Sequence, residues 1–368
     1  MSLAKKNQLV GLDIGSHSIK LVELDHSKRG RLLRNFGTVG LPPGAIVEGS
    51  IKEVDLISSA IKVLFRNLKV KNRNVATSVS GYSVIAKRLA LSKRNEEEIE
   101  ATIREEAEQH IPFDINEVNI DFDILAIEEE FPEGQVGVAA TSEGAREKRD
   151  LMNIMLVAAR KDIVDDYVNL LQLANLNPGV LDVDAFALQN AVELSAEEPK
   201  GCFAIVDVGA QRLGINAVKN GVSMFSRDSS YGGYHITQAI MSEFGVNFEE
   251  AEKIKLGGAE AGNKKEALER IFAFEVSSWV REIGRALDFV GNTYPEEEIG
   301  KIFITGGSCR LPGLQKYLES ELDIPVEEFN PFRNIMVNGA IFDHSYLQHR
   351  AHMAGVAVGL ALRSIGDK

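Results

Sequence analysis

The chain has little of what secreted, membrane-spanning and nucleic-acid-binding proteins usually contain. Its 368 residues include only two cysteines, Cys202 and Cys309, which is too few for a disulfide framework. The strongly apolar run at 354–362 is too short to cross a bilayer. A net charge of −13 disfavours nucleic acid as a partner. Residues 1–7 do not resemble a signal peptide, so we expect a cytoplasmic protein.

What the chain does contain is one motif that occurs twice. Asp13 and Gly15 lie between two apolar segments, and Asp207 and Gly209 lie between two more. Each copy predicts a strand, a tight glycine turn and a second strand, with an aspartate where the turn begins. One such hairpin alone is ordinary turn chemistry. Two copies in one chain of this length predict two similar lobes that hold one ligand between them.

The residue types in these turns suit a phosphate. A glycine lets backbone N–H groups approach an anion closely, and an aspartate beside the turn can hold a hydrated Mg²⁺ through its waters. We expect Asp13 and Asp207 to be these Mg²⁺-water ligands. Lys20 is placed to reach phosphate oxygens, although it also fits a lysine on the surface of a strand. The other expected phosphate contacts are Gly15, Ser16, Ser18, Gly209, Gly232 and Gly233.

A third motif follows later in the chain. An apolar segment from Ile302 ends in Gly306, Gly307 and Ser308, and a helical pattern comes after it. This predicts backbone close to a flat ligand at the carboxyl end of a strand, where α/β sheets bind their ligands. Arg310 is expected to lie over the face of an adenine.

In this order, the motifs resemble the actin/Hsp70/sugar-kinase superfamily of nucleotide-binding proteins. Asp13 to Lys20 resembles its first phosphate loop, Asp207 to Leu213 its second, and Gly306 to Arg310 its adenosine motif. The segment 251–255 resembles a helix of MreB and FtsA, which implies that Glu252 and Lys255 contact the ribose and base. The resemblance implies an α/β, actin-like (ribonuclease H-like, duplicated) two-lobed fold that binds ATP and Mg²⁺.

Between the two phosphate motifs, residues 83–177 alternate strand and helix patterns and resemble the 1C subdomain of FtsA and PilM. The PilM family is the closer resemblance, because no amphipathic membrane helix follows Ala361. The implied organisation is lobe 1A at 8–82 and 178–200, subdomain 1C at 83–177, lobe 2A at 201–230 and 300–368, and subdomain 2B at 231–299.

The PilM-like pattern implies a cytoplasmic, ATP-binding scaffold of the type IV pilus assembly platform, at the cytoplasmic face of the bacterial inner membrane. The implied partner is the cytoplasmic N-terminal peptide of PilN, together with other platform proteins, and oligomers are permitted. An FtsA-like cell-division tether and an actin-superfamily kinase or ATPase are the alternatives. Gln211 is the candidate water-positioning residue for hydrolysis, and an ordinary turn role is the alternative for it.

Hydrophobic spacing and helix-end signals also predict individual elements. Trp279 is expected in the core of a helix at 271–289. We expect further helices at 54–68, 95–110, 162–174 and 348–363, and strands at 74–80, 118–127, 136–141, 152–159 and 179–183.

Overall fold

The structure is a computed structural model that describes residues 7–27, 30–125, 151–195, 201–259 and 261–367. Its strands are β1 (Val10–Ile14), β2 (Ser18–Ser27), β3 (Gly30–Gly40), β4 (Ile46–Val47), β5 (Ser50–Ile51), β6 (Asn74–Val79), β7 (Val84–Ser92), β8 (Val118–Ile124), β9 (Leu151–Arg160), β10 (Asn177–Val183), β11 (Cys202–Val208), β12 (Leu213–Lys219), β13 (Val222–Ser229), β14 (Ile299–Thr305) and β15 (Val326–Glu328). Its α-helices are α1 (Val54–Asn67), α2 (Glu96–Glu108), α3 (Lys161–Leu173), α4 (Asp184–Ser195), α5 (Gly233–Phe244), α6 (Phe248–Lys255), α7 (Lys265–Thr293), α8 (Leu314–Leu322), α9 (His344–Arg350) and α10 (Gly355–Ala361). Among the described helices, none combines the length and the apolar character that a membrane span requires.

Two five-stranded sheets share one topology. The strand order is β10-β6-β1-β2-β3 in the first sheet and β13-β12-β11-β14-β15 in the second. In each sheet the first three strands in chain order pair antiparallel, and the last two join in parallel. The repeated topology confirms the predicted actin-like, two-lobed α/β fold.

Strands β1 and β11 hold equivalent central places in the two sheets, and this explains their composition. A central strand covered on both faces reads as a continuous apolar run rather than an alternating one. All five residues of β1 are buried, as are all residues of β11 except Asp207. Since the two strands are equivalent, the aspartates near their carboxyl ends, Asp13 and Asp207, occupy equivalent positions in the two lobes.

A separate three-stranded sheet, with the order β7-β9-β8, lies between β6 and β10 in the chain. Together with α2 it encloses its own apolar core, and we call it the inserted unit. Asn95 begins α2 with a capping box: its side chain accepts from the Glu98 amide, and the Glu98 carboxylate accepts from the Asn95 amide. The strand expected at 136–141 lies outside the described residues.

The packing of helix α3 differs from the expected domain boundaries, which placed residues 83–177 in one subdomain. The helix was expected to belong to the inserted unit, but Ile163, Tyr167 and Leu170 lie in the core of the first sheet, against α1 and β10. The apolar stripe of α3 faces the first sheet. Ala158 of β9 is therefore the last residue along the chain in the core of the inserted unit.

Helices α4 and α10 lie between the two large sheets, and both contribute to a core shared by side chains of both lobes. Their contact is close because Gly359 has no side chain: a Cβ there would lie 1.6 Å from the carbonyl oxygen of Ala187. The prediction of one continuous helix at 348–363 is wrong. A 3-10 turn at Ala351–Met353 separates α9 from α10, and it frees the His352 carbonyl to accept from the Gly306 amide at 2.8 Å.

The other predicted elements agree closely with the structure. Helix α1 begins at the predicted Val54 and ends one residue before the predicted Leu68. In the second lobe, α7 extends well beyond the predicted 271–289, and Trp279 is 1% exposed within the core of that lobe.

Candidate functional site

A cleft of about 550 Å³ lies between the two lobes, at the carboxyl ends of β1 and β11. This is where open α/β sheets bind ligands. The residues predicted from sequence that line it are Asp13, Gly15, Ser16, Ser18, Lys20, Asp207, Gly209, Gln211, Glu252, Lys255, Gly306, Gly307 and Ser308. Residues from four separate parts of the chain therefore meet in one cavity.

The first turn joins β1 to β2. Asp13 pairs with Lys20 across the two strands, and the Lys20 Nζ lies 3.1 Å from the Asp13 carboxylate. A Cβ on Gly15 would lie 3.0 Å from that Nζ, so the turn passes close to the ammonium group. The interpretation of Lys20 as an ordinary surface lysine is wrong, because its side chain is only 14% exposed.

The second turn, from β11 to β12, copies this layout with one change. The residue across from Asp207 is Gly214, so this strand pair has no lysine at the position of Lys20. The positive charge comes instead from Arg212 within the turn, whose guanidinium lies 3.3 Å from the Asp207 carboxylate. The Gly209 amide donates to the Arg212 carbonyl at 2.8 Å, which closes the turn.

Arg212 has two further carboxylate partners, which sequence reasoning missed. Its guanidinium donates to Asp184 at 2.5 Å and to Asp228 at 2.9 Å. Asp184 begins α4 and Asp228 lies in β13, so three elements supply the carboxylates around one cation. The alignment of the two turns gave no signal for either aspartate, since both lie outside the repeated motif.

Burial makes the ionised acids of this cleft costly. It raises the pKa of Asp207 to about 6, although Arg212 opposes this, and it raises the pKa of Asp13 against the opposing charge of Lys20. For Arg212, burial alone would lower the pKa, but the surrounding carboxylates raise it above its ordinary value. The guanidinium therefore remains charged.

Acidic side chains outnumber basic ones in the wall of the cleft, which favours a bound divalent cation. Four aspartates (Asp13, Asp184, Asp207 and Asp228) line the cleft, and the cations paired with them are Lys20 and Arg212. Within the described residues no three His, Cys, Asp or Glu side chains are arranged to hold a metal directly. A hydrated Mg²⁺ held through its waters fits this donor set, because Mg²⁺ usually keeps several waters and binds through one or two carboxylates.

The third motif closes the cleft beside the second turn. Gly306 has φ +92°, a conformation that favours glycine, and a Cβ there would lie 2.4 Å from the Asp207 carboxylate. The Ser308 hydroxyl donates to the Gly209 carbonyl at 3.2 Å, and the Ser308 amide donates to the Val208 carbonyl at 2.9 Å. The motif thus lies directly against β11.

Two predicted glycines, Gly232 and Gly233, lie behind the cleft rather than in its wall. They begin α5, and a Cβ on Gly233 would lie 2.1 Å from the Ser308 hydroxyl. The Lys255 Nζ, in contrast, lies in the wall, where it donates to Glu252 at 2.5 Å and to the Thr237 hydroxyl at 3.0 Å. Burial lowers the pKa of Lys255, although Glu252 opposes this.

Arg310 does not line the cleft, which corrects the expectation that it covers an adenine. Its guanidinium forms a two-bonded pair with Glu328, at 2.9 Å from Nε and 2.5 Å from one terminal nitrogen. It also donates to the backbone carbonyls of Gln348 and His349. Since four acceptors hold the group, its role here is to fasten α9 to the second sheet.

Gln211 lines the cleft, but its amide is engaged by the opposite lobe. The side chain donates to the Ile46 carbonyl at 3.0 Å and accepts from the Glu48 amide at 3.1 Å. Both polar atoms therefore hold the lobes together in this structure, which favours the turn role over water positioning.

The sequence did not identify several other residues of the cleft wall. Tyr167 and His352 are buried there, and burial raises the pKa of Tyr167 and lowers that of His352 to about 4. The His17 ring contacts Tyr234 of the second lobe, with 3.2 Å between Nδ1 and the phenolic oxygen. The aromatic and histidine residues gave no motif, because they come from separate elements.

Comparisons with known families give one match along nearly the whole chain. The model of a family described as type IV pilus assembly protein PilM matches residues 11–365. A solved structure of a PilM-PilN type IV pilus biogenesis complex is 28% identical, with a TM-score of 0.82 over 98% of this chain and 99% of that one.

More distant relatives share the architecture. The ethanolamine utilization protein EutJ of Salmonella typhimurium is 26% identical over 170 residues, which are 43% of this chain; the chain spans about half the length of that relative, 52%. Cell division protein FtsA of Enterococcus faecalis is 21% identical over 90% of this chain and 81% of its own. A crystal structure of MreB5 of Spiroplasma citri bound to AMPPNP matches with a TM-score of 0.50 at 11% identity, over 96% of this chain and 95% of that one.

Proposed function

The chain belongs to the type IV pilus assembly protein PilM family and is an actin-like scaffold of that assembly; we propose that its cleft binds ATP with Mg²⁺. The observation that carries this proposal is the meeting of two equivalent strand-turn-strand units, with Asp13 and Asp207, in one cavity. A volume of about 550 Å³ is in the range of small-ligand sites. The solved MreB with AMPPNP supports the same use of this fold.

The residues of the cleft divide the work of holding such a ligand. Asp13 and Asp207 would hold the waters of Mg²⁺, which neutralises phosphate charge when it is bound. Lys20 would bind phosphate oxygens as a point charge, and the turn amides beside Gly15 and Gly209 would line the phosphates. Glu252 and Lys255, which also line the cleft, would contact the ribose and base.

We further propose that the chain binds the cytoplasmic N-terminal peptide of PilN, which would bring it to the cytoplasmic face of the inner membrane. Support comes from the PilM-PilN complex, which this chain resembles over almost its full length. The proposed groove lies between the first lobe and the inserted unit. An extended peptide would gain affinity from main-chain bonds and selectivity from apolar pockets.

Equilibrium binding of Mg-ATP tests the cleft. We expect Asp13→Asn and Asp207→Asn each to weaken binding about tenfold or more, because each loses a charged ligand of the hydrated cation. Asp162→Asn is the matched control, since this exposed carboxylate of α3 pairs with Arg160 and does not line the cleft. Equal affinity in all four proteins would remove the assignment.

A second experiment tests the partner. Titration of the purified protein with a synthetic PilN N-terminal peptide, with and without Mg-ATP, measures both the peptide affinity and its coupling to nucleotide. Any effect of ATP on peptide affinity must equal the effect of peptide on ATP affinity. Absence of peptide binding under both conditions would contradict the proposed partner and leave the nucleotide site untouched.

A further inference from the structure

The position of Arg212 suits contact with a ligand, although the sequence motif around it did not identify it as a binding residue. Its guanidinium lies in the cleft wall, within 3.3 Å of the Asp207 carboxylate and therefore beside the place proposed for Mg²⁺. The side chain remains 22% exposed and lines the cavity, while its guanidinium contacts the carboxylates. A group so placed can contact both the protein and a ligand.

Arg212 has donors to spare. A guanidinium carries five N–H donors in a fixed planar fork. Within the described part of the chain, one terminal nitrogen donates to Asp228, and the other donates to Asp184 and Asp207. The Nε hydrogen and one hydrogen of the nitrogen bound to Asp228 have no acceptor among those residues. Arg212 is not among the described residues with a fully buried polar atom that lacks a partner. Two donors, on different edges of the guanidinium, thus remain for ligand oxygens.

Both lobes fix the orientation of the guanidinium. Asp184 also accepts from the Ser78 hydroxyl of β6 at 2.5 Å, and the second oxygen of Asp228 accepts from the Gly81 amide at 2.6 Å. Ser78 and Gly81 belong to the first lobe, whereas Arg212 and Asp228 belong to the second. The carboxylates therefore hold the fork where the lobes meet, so that little side-chain entropy remains to be lost when a ligand binds.

We propose that Arg212 binds the terminal phosphate of the nucleotide and makes the cleft prefer a triphosphate to a diphosphate. This inference rests on the proposed function of the cleft. Its two spare hydrogens lie on different edges of the planar group, so each can donate one charge-assisted bond to a phosphate oxygen, in a direction that the carboxylates fix. A diphosphate lacks the phosphate that reaches this fork, so only a triphosphate gains these charge-assisted bonds.

The test compares the affinities of Mg-AMPPNP and Mg-ADP in the wild type and two variants. Arg212→Lys keeps the positive charge but loses the fork. The double variant Arg212→Gln with Asp228→Asn removes one charge of each sign, so the net charge of the cluster is unchanged. We expect both variants to reduce the ratio of triphosphate to diphosphate affinity about tenfold or more, with ADP affinity nearly constant. Arg310→Lys, outside the cleft, is the control and should keep the wild-type ratio.

The possible outcomes separate this inference from the proposed function. If the wild type binds neither nucleotide, the proposed function fails. If it binds both but shows no preference, or if the variants keep the preference or lose both nucleotides equally, Arg212 serves the carboxylates alone and the inference is overturned. Thermal melting of each variant without nucleotide establishes that the compared proteins are folded.

Discussion

The buried surroundings of Asp207 disfavour its ionised form. Burial raises its pKa to about 6, even though Arg212 lies 3.3 Å away. A carboxylate whose ionised form is disfavoured in the folded state reduces stability at neutral pH. Such groups are frequent at functional sites, because a bound cation can compensate for the burial.

A stability measurement checks this at the residue scale. Since the folded chain binds the Asp207 proton more tightly than the unfolded chain, the penalty is absent below about pH 4, grows between about pH 4 and 6, and is constant at higher pH. We expect Asp207→Asn to raise the free energy of unfolding at pH 8 by about 1–3 kcal/mol and by less at pH 5. Arg212 keeps two carboxylate partners in this variant. Urea denaturation without nucleotide at both pH values provides the test; a larger gain at pH 5 would contradict the sign.

Neighbouring glycines of the third motif provide a second prediction. A Cβ on Gly306 would lie 2.4 Å from the Asp207 carboxylate and 2.5 Å from the Val208 carbonyl, at φ +92°. Apart from its chain neighbours, no atom of the described residues lies within 4 Å of a Cβ added to Gly307. We expect Gly306→Ala to lower the free energy of unfolding by about 2 kcal/mol or more, and Gly307→Ala by much less. Denaturation curves of the two variants decide; equal losses would mean that the turn relaxes freely.

The sequence predicted single residues well where they belong to the repeated motif. Asp13, Lys20 and Asp207 lie in the cleft because the two turns are equivalent by topology. The expectation that Arg310 covers an adenine was wrong, because its partner Glu328 lies in a short strand that no sequence motif indicates. Asp184 and Asp228 could not be found, because only the folded chain brings their elements to Arg212.

At the scale of elements, local signals located the helix ends. The helix expected from Asn95 is present: α2 begins directly after Asn95, which caps it together with Glu98. The break between α9 and α10 was not predictable in this way. It depends on bonds from Thr305 and Gly306 to the His352 carbonyl, which are contacts between distant parts of the chain.

Two helix glycines give a prediction whose sign differs with packing. Alanine in place of glycine normally stabilises a helix interior by about 1 kcal/mol. In α7, the Cβ of an alanine at Gly291 would meet no atom of another described element within 4 Å, so Gly291→Ala should stabilise by about 0.5–1 kcal/mol. In α10, Gly359→Ala would place a Cβ 1.6 Å from the Ala187 carbonyl and should destabilise by several kcal/mol, on the order of 3. Thermal melting of the pair is the measurement, and stabilisation by both would show that α4 and α10 can separate.

At the scale of the whole molecule, the duplication itself was predictable, because each lobe repeats one strand-turn-strand pattern. The attachment of α3 was not. Its apolar stripe is compatible with either neighbouring sheet, and only three-dimensional packing against α1 and β10 assigns it to the first lobe. Sequence periodicity states which face of a helix is buried but not what buries it.

Contacts across the cleft should be measurable as protected amides. The Glu48 amide of the first lobe donates to Gln211, and the Gly81 amide of the same lobe donates to Asp228. We expect Gln211→Ala to speed hydrogen exchange at Glu48 about tenfold, because that amide loses its acceptor. Gly81 should keep its rate and serves as the internal control. Equal acceleration at both amides would indicate that the lobes separate as a whole.

The bond between Gly81 and Asp228 lies at the root of the inserted unit. Gly81 begins the turn that leads straight into β7, a strand of nine residues. Nine extended residues span roughly 30 Å, so a pivot of about 5° at this root would displace the far tip by roughly 3 Å. A small rotation at Gly81 would therefore be amplified at the far end of the inserted unit, and the contact at this point comes from Asp228 of the second lobe.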